Sequence, residues 1–242
     1  MTAKPVTRAM IMAAGLGTRM RPLTNDLPKP LVKVRGKALL DHVIDRLVAN
    51  GVTLIVVNAH YKAQMIKDHV ASRTDVEIRV SDESDALLDS GGGIAKALPH
   101  FEGEPFFHCN ADTVWAEGTS SALDHMQACW NADKMDALML LAATVNTVCY
   151  DGLGDFTMDA DGHIARPEEG YVAPFVWMSV EILHPRLFAG VKPGKFSINP
   201  LWDKAIEKNR LFGVRLDGVW MHIDRPEAVK ESEAFLNDLA PV

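Results

Sequence analysis

Gly15 and Gly17 stand just ahead of Arg19, and ten positions further on Lys29 is held between Pro28 and Pro30. Glycine lets the main chain take positive φ and approach a ligand with no Cβ in the way. Successive N–H groups in such a turn form a concave nest for anionic oxygens. Ala13, Ala14, Gly15, Gly17 and Thr18 are the expected members of that nest. Arg19 offers a planar fork of donors, and Lys29 a compact charge on a flexible stem whose backbone the two prolines restrict. The chemistry implied is a grip on phosphate. A Walker loop would need Gly-x-x-x-x-Gly-Lys-Ser/Thr, which is absent. A dinucleotide fingerprint would need a glycine at position 20, where Met20 stands.

Two further stretches carry chemistry. Asp112 follows the apolar run from Pro105 to Asn110, so its carboxylate is expected at the end of a strand, on the edge of a sheet where ligands bind. A hard oxygen donor there suits Mg²⁺. Ser90-Gly91-Gly92-Gly93 precedes a short helical pattern, and three glycines in a row would let the backbone lie flat against a base. Cys109, Cys129 and Cys149 have neither Cys-x-x-Cys nor zinc spacing and read as reduced thiols.

These residues need a frame. Apolar runs at Ala9–Ala14, Thr53–Asn58, Val76–Val80 and Pro105–Cys109 read as strands, and helical periodicity at Leu40–Leu47, Tyr61–Ala71 and Gly92–Leu98 separates them. Strand and helix in alternation predict an α/β fold, a mostly parallel sheet with helices on both faces. Ligand then binds at the carboxyl ends of the strands, where Gly15 and Asp112 both fall. Further helices are expected at Ser120–Trp130, Ser197–Lys208 and Pro226–Leu239, with strands at Ala137–Ala142 and Ala173–Leu183. Hairpins are expected from Asp155–Met158 with His163–Arg166, and from Phe212–Leu216 with Val219–Asp224.

The 242 residues are read as a single domain, 1–242, with a nucleotide-binding half over about 1–150 and a sugar-binding half over about 151–242. A net charge of −7 gives no overall basic field for nucleic acid or acidic lipid, so the cations that meet phosphate must be concentrated locally. No apolar run approaches the roughly 20 residues that span a bilayer, and the first ten residues lack the apolar core of a signal peptide. The expectation is a cytoplasmic protein acting on small molecules, without nucleic-acid or membrane partners.

AAGLGTRMRPLT (Ala13–Thr24) followed by PKPL (Pro28–Leu31) resembles the signature of the sugar-1-phosphate nucleotidyltransferases, the nucleoside-diphosphate-sugar pyrophosphorylases. LLDSGGGIAKALP, HCNAD and the carboxyl-terminal GVWMHIDRPEAV extend the likeness over nearly the whole chain. Within that family the chain looks most like the short uridylyltransferases that act on N-acetylmuramate 1-phosphate. The resemblance implies a Rossmann-like fold of nucleotide-diphospho-sugar transferase type and an Mg²⁺-dependent reaction. In that reaction an NTP, here UTP, and a sugar 1-phosphate give a nucleotide sugar and pyrophosphate. Arg19, Lys29 and Asp112 are its catalytic positions; Asn110, Gly92 and Gly93 join the nucleotide-binding loop. Arg166 stands where relatives carry the lysine that meets the sugar phosphate, and Glu168 and Asn199 join it around the sugar.

Relatives end their last strand with an aspartate that binds metal. Here His222 occupies that position and Asp224 stands two residues on. Sharing one strand face, either would reach the ion; Asp224 is favoured, because Mg²⁺ prefers carboxylate to imidazole. Two other readings stand beside this one. A mannose-1-phosphate guanylyltransferase belongs to the same class. A catalytically inactive regulatory subunit on the same fold should have lost Arg19, Lys29 or Asp112, and all three are present.

Overall fold

The computed structural model describes residues 4–239. Its strands are β1 Arg8–Met12, β2 Lys33–Val34, β3 Lys37–Ala38, β4 Leu54–Ala59, β5 Glu77–Asp82, β6 Phe106–Asn110 and β7 Thr113–Glu117. They continue with β8 Ala137–Ala143, β9 Thr147–Val148, β10 Thr157–Met158, β11 Ile164–Ala165, β12 Phe175–Leu183, β13 Leu211–Arg215 and β14 Gly218–His222. The helices are α1 Leu39–Ala49, α2 Ala63–Ala71, α3 Asp89–Ala97, α4 Ala122–Cys129, α5 Asn199–Glu207 and α6 Pro226–Leu239.

Seven strands form the central sheet in the order β13-β8-β12-β6-β1-β4-β5. All neighbours are parallel except β12, which runs antiparallel to both β6 and β8. The side-chain period of 2 divides the core. Ala9 and Ile11 of β1 pack into the cluster that holds α1, α2 and α4, while Met10 packs with Ile94 of α3 and Trp202 of α5. Leu39, Leu40, Val43, Ile44 and Leu47 bury one side of α1 completely. Each such side chain contributes roughly 1.5–3 kcal/mol relative to exposure. The mixed, mostly parallel sheet with helices on both faces is the expected architecture. No described helix is long and apolar enough to cross a membrane.

The second half departs from expectation in one respect that matters for the site. Phe212–Leu216 and Val219–Asp224 do not form a hairpin. β13 joins the central sheet parallel to β8, whereas β14 joins a separate three-stranded sheet, β7-β14-β9. An apolar run, a short turn and a second apolar run look alike in sequence whether the strands pair or part; here Trp220 is drawn opposite Trp115, and His222 opposite Thr113. The small sheet thereby carries the chain's last strand to the residue that follows Asp112. The Thr157–Met158/Ile164–Ala165 hairpin forms as expected.

Candidate active site

β1 ends at Met12, and the chain turns through Gly15 and Gly17 into a 3₁₀ turn, Thr18–Met20. Gly17 takes φ +62°, and a Cβ there would meet Lys29 Cβ at 3.0 Å and Thr24 Cγ2 at 3.1 Å. The glycine therefore serves both the turn and the close passage of Lys29. Met20, which occupies the place of a third glycine, is fully buried with Val32, Leu39, Val114 and Met221 and anchors the turn to the small sheet.

Two cations of this loop, Arg19 and Lys29, are held by carboxylates from distant segments. Lys29 Nζ donates to Asp112 Oδ2 at 2.5 Å, and Arg19 Nη1 donates to Asp224 Oδ2 at 2.7 Å. Gly15, Leu16, Gly17, Thr18, Arg19, Met20, Lys29, Asp112 and Asp224 line one cavity of about 380 Å³. Through Gly15 and Asp112 it adjoins a second cavity, of about 460 Å³, which Met12, Ala14, Asn58, Glu83, Ser90 and Asn110 also line. Ser90 and Asn110 are shared in turn with a third cavity, of about 310 Å³, bordered by Asp155, Arg166, Trp177, Asn199 and Trp202. The three lie in a row along the carboxyl ends of β1 and β6, where the sequence reading put ligand.

Not every expected residue arrives. The Ala13 N–H is taken by Asn58 Oδ1 at 2.6 Å, so it turns inward and is not free for phosphate. Gly92 and Gly93 are buried inside α3 and line none of these cavities. A Cβ on Gly91 would run into the Phe196 ring, one on Gly92 into the carbonyl oxygen of Gly194, and one on Gly93 would lie 2.9 Å from Glu83 Oε1. The three glycines thus let α3 seat against the 194–196 loop and the Asn58–Glu83 pair. Glu168 is exposed and borders none of the three cavities. β14 ends at His222, so Asp224 lies past the strand and the shared strand face does not exist. Arg166 does border the third cavity, stacked 4.6 Å over Phe156 and bonded to Asp203 at 3.1 Å and Asn199 at 3.4 Å.

Asn58 and Glu83 are the residues that sequence reasoning under-read. Both are buried; Asn58 Nδ2 donates to Glu83 Oε1 at 2.8 Å, and the Leu88 N–H donates to Oε2 at 3.2 Å. A polar Asn inside the otherwise apolar β4, next to its end at Ala59, was the available signal. Asp155 accepts the Trp177 N–H at 3.0 Å, and burial pushes its carboxyl up. Asn110 donates to Ser179 Oγ at 2.9 Å, at a break in the register of β12 where Ser179 takes φ +67°.

Asp112 and Asp224 are the carboxylates here that could hold a divalent ion. Both carboxylates border the phosphate-sized cavity, and each is ion-paired to a cation of the loop. His222 lies close by with its Nδ1 buried and without a hydrogen-bond partner, and burial holds its pKa below the ordinary value. Two carboxylates with room for water and phosphate oxygens fit Mg²⁺. Among the described residues, the one trio of His, Cys, Asp or Glu whose ligand atoms all lie within 4.8 Å of one another is Asp159, Asp161 and His163, on the β10–β11 turn away from this site.

Residues 8–160 match the model of the nucleotidyl transferase family. The chain is 42% identical over 232 residues to N-acetylmuramate alpha-1-phosphate uridylyltransferase of Caulobacter vibrioides, covering 94% of this chain and 96% of that protein. It is 32% identical over 239 residues to the protein of the same name from Neisseria meningitidis serogroup B, covering 94% and 97%. In fold it is similar to a UDP-glucose pyrophosphorylase complexed with UDP-glucose, with a TM-score of 0.79 at 15% identity over 96% of this chain and 99% of that one.

Proposed function

The chain belongs to the nucleotidyl transferase family, within it to the sugar-1-phosphate nucleotidyltransferases, and we propose that it transfers a uridylyl group from UTP to N-acetylmuramate 1-phosphate. One observation carries the mechanism. Arg19 and Lys29 of the glycine loop are paired with Asp224 and Asp112 around a cavity that opens into two more, enough room in series for triphosphate, base and sugar.

An oxygen of the sugar 1-phosphate attacks the α-phosphorus of the nucleotide. The bond from that phosphorus to the bridging oxygen breaks, and pyrophosphate leaves with the electron pair. The nucleophile is already anionic, so no strong general base is needed. What must be overcome is the repulsion and alignment of two anions. The N–H groups of the Gly15–Thr18 turn hold triphosphate oxygens, and Arg19 and Lys29 neutralise them. Each such fixed donor is worth about 3–4 kcal/mol of barrier. Asp112 and Asp224 would hold a Mg²⁺ ion, whose chemistry there would be Lewis-acid polarisation of the phosphate. Glu83 offers an acceptor for the N–H of the base, and Arg166 and Asn199 meet the sugar side. Unpaired Cys109, Cys129 and Cys149 accord with a cytoplasmic site of action.

Pyrophosphate release from each nucleoside triphosphate paired with several sugar 1-phosphates tests the reading. UTP with N-acetylmuramate 1-phosphate and Mg²⁺ is expected to be the fastest pair. Faster turnover of GTP with mannose 1-phosphate, or no release with any pair, would overturn it.

A further inference from the structure

N-acetylmuramate differs from neutral N-acetylhexosamines by a lactyl ether ending in a carboxylate. An enzyme that selects it must meet a second negative charge some distance from the phosphate. Most cations around the three cavities are already committed. Lys29 pairs with Asp112, Arg19 with Asp224, and Arg166 with Asp203.

Lys195 differs. It borders the middle cavity with Ser90, Asn110 and Asp112, while Ser197, Ile198 and Asn199, a few positions on, border the sugar cavity. The 195–199 segment therefore forms a wall common to both. It is pinned by three hydrogen bonds: Gly92 N–H to Phe196 O at 3.1 Å, Phe196 N–H to Leu88 O at 3.2 Å, and Ile198 N–H to Ser90 Oγ at 3.0 Å. Among the described residues the Lys195 ammonium has no carboxylate within 4.0 Å and no hydrogen-bond partner. Asp89 borders the same cavity without pairing to it, and Asp155 lines the sugar cavity, so both repel a carboxylate from their own sides. The uncommitted positive charge at this boundary is the ammonium of a flexible, exposed lysine, suited to a carboxylate whose position varies with a rotatable ether.

Resting on the reading that the acceptor is a sugar 1-phosphate, we propose that Lys195 is the specificity residue that selects sugar 1-phosphates bearing a carboxylate. The phosphate is bound by other groups, so Lys195 discriminates between sugars and takes no part in the transfer itself.

The test compares kcat and KM of the wild type, Lys195→Gln, Lys195→Arg and Lys192→Gln for N-acetylmuramate 1-phosphate and N-acetylglucosamine 1-phosphate, with UTP saturating. Lys195→Gln should raise KM for the acidic sugar about 10- to 100-fold, as loss of one charge-assisted hydrogen bond does. Its constants for the neutral sugar should stay within about twofold. Lys195→Arg should keep most of the preference, and Lys192→Gln, on the same loop but outside the three cavities, should match the wild type. An equal loss on both sugars would make Lys195 a phosphate or structural residue and overturn the proposal. A preference that survives Lys195→Gln overturns it as well. A wild type that does not prefer the acidic sugar overturns the substrate reading and this inference together, before any variant is compared.

Discussion

Lys29 Nζ lies 2.5 Å from Asp112 Oδ2, although 83 positions separate the two residues. Their side chains are 14% and 32% exposed, so the pair is partly desolvated and its field is poorly screened. The lysine stem reaches this point because Gly17 leaves room for it. In the free chain each charge balances the other. On the proposed reading, phosphate oxygens would compete for the ammonium and leave the Asp112 carboxylate available to a divalent ion.

Lys29→Ala should therefore reduce kcat by about 100-fold or more, the loss seen when one fixed electrostatic donor is removed. The cost in stability should be about 1 kcal/mol, since Asp112 keeps access to water. Pyrophosphate-release kinetics and denaturant unfolding on the same preparation check both halves. Near-native turnover would end the assignment of Lys29 to phosphate.

Metal dependence should separate Asp224 from His222. Asp224 is 13% exposed and accepts from Arg19 at 2.7 Å and Arg225 at 3.4 Å. His222 is packed between the rings of Tyr150 and Trp220. Oxygen is the preferred donor for Mg²⁺. Asp224→Ala should raise the Mg²⁺ concentration for half-maximal rate by about 10-fold or more, the scale of a lost metal-site residue. His222→Ala should act mainly through lost ring packing. The opposite order in a Mg²⁺ titration would transfer the second ligand to His222.

The amino-terminal half was legible because its signals are local. A strand, a glycine turn and a buried helix face each follow from residues within ten positions of one another, and β1, β4, β5, β6 and α1 form within a few residues of where the pattern predicts them. The small β7-β14-β9 sheet was not legible, since pairing Trp220 with Trp115 joins residues about a hundred positions apart, and no local period encodes it. The glycine triplet misled for the same reason. What demands a missing Cβ at Gly91 and Gly92 is Phe196 and Gly194, and at Gly93 it is Glu83 and Asn58. Nothing adjacent in sequence announces those partners.

Gly93→Ala tests that reassignment. The new methyl would lie 2.9 Å from Glu83 Oε1, 3.0 Å from Asn58 Nδ2 and 3.0 Å from Met12 Cε, and the buried amide–carboxylate pair must shift. Overpacking of this kind costs about 1–3 kcal/mol. Asn58 also holds the Ala13 N–H, so the strain should pass to the nucleotide loop and raise KM for UTP. A destabilised variant with unchanged KM would confine Asn58 and Glu83 to a structural role.

A pH-dependent contribution to stability lies beneath the sugar cavity. Glu181 and His108 are fully buried across β12 and β6, with Oε1 and Nδ1 2.7 Å apart. Glu181 Oε2, His108 Nε2 and Trp202 Nε1 have no hydrogen-bond partner among the described residues. Burial pushes the Glu181 carboxyl up against the opposing pull of His108. The folded chain then keeps a proton that the unfolded chain releases near its ordinary value of about 4.3. With more protons bound in the folded state, stability falls as pH rises from that value through the folded one. Glu181→Gln keeps a polar partner for His108 but does not titrate. The melting temperature of the wild type relative to Glu181→Gln should accordingly decline as pH is raised from about 4.5 to about 8. A constant difference would mean that Glu181 ionises in the folded chain near its ordinary value, and a rising one would reverse the sign assigned to it.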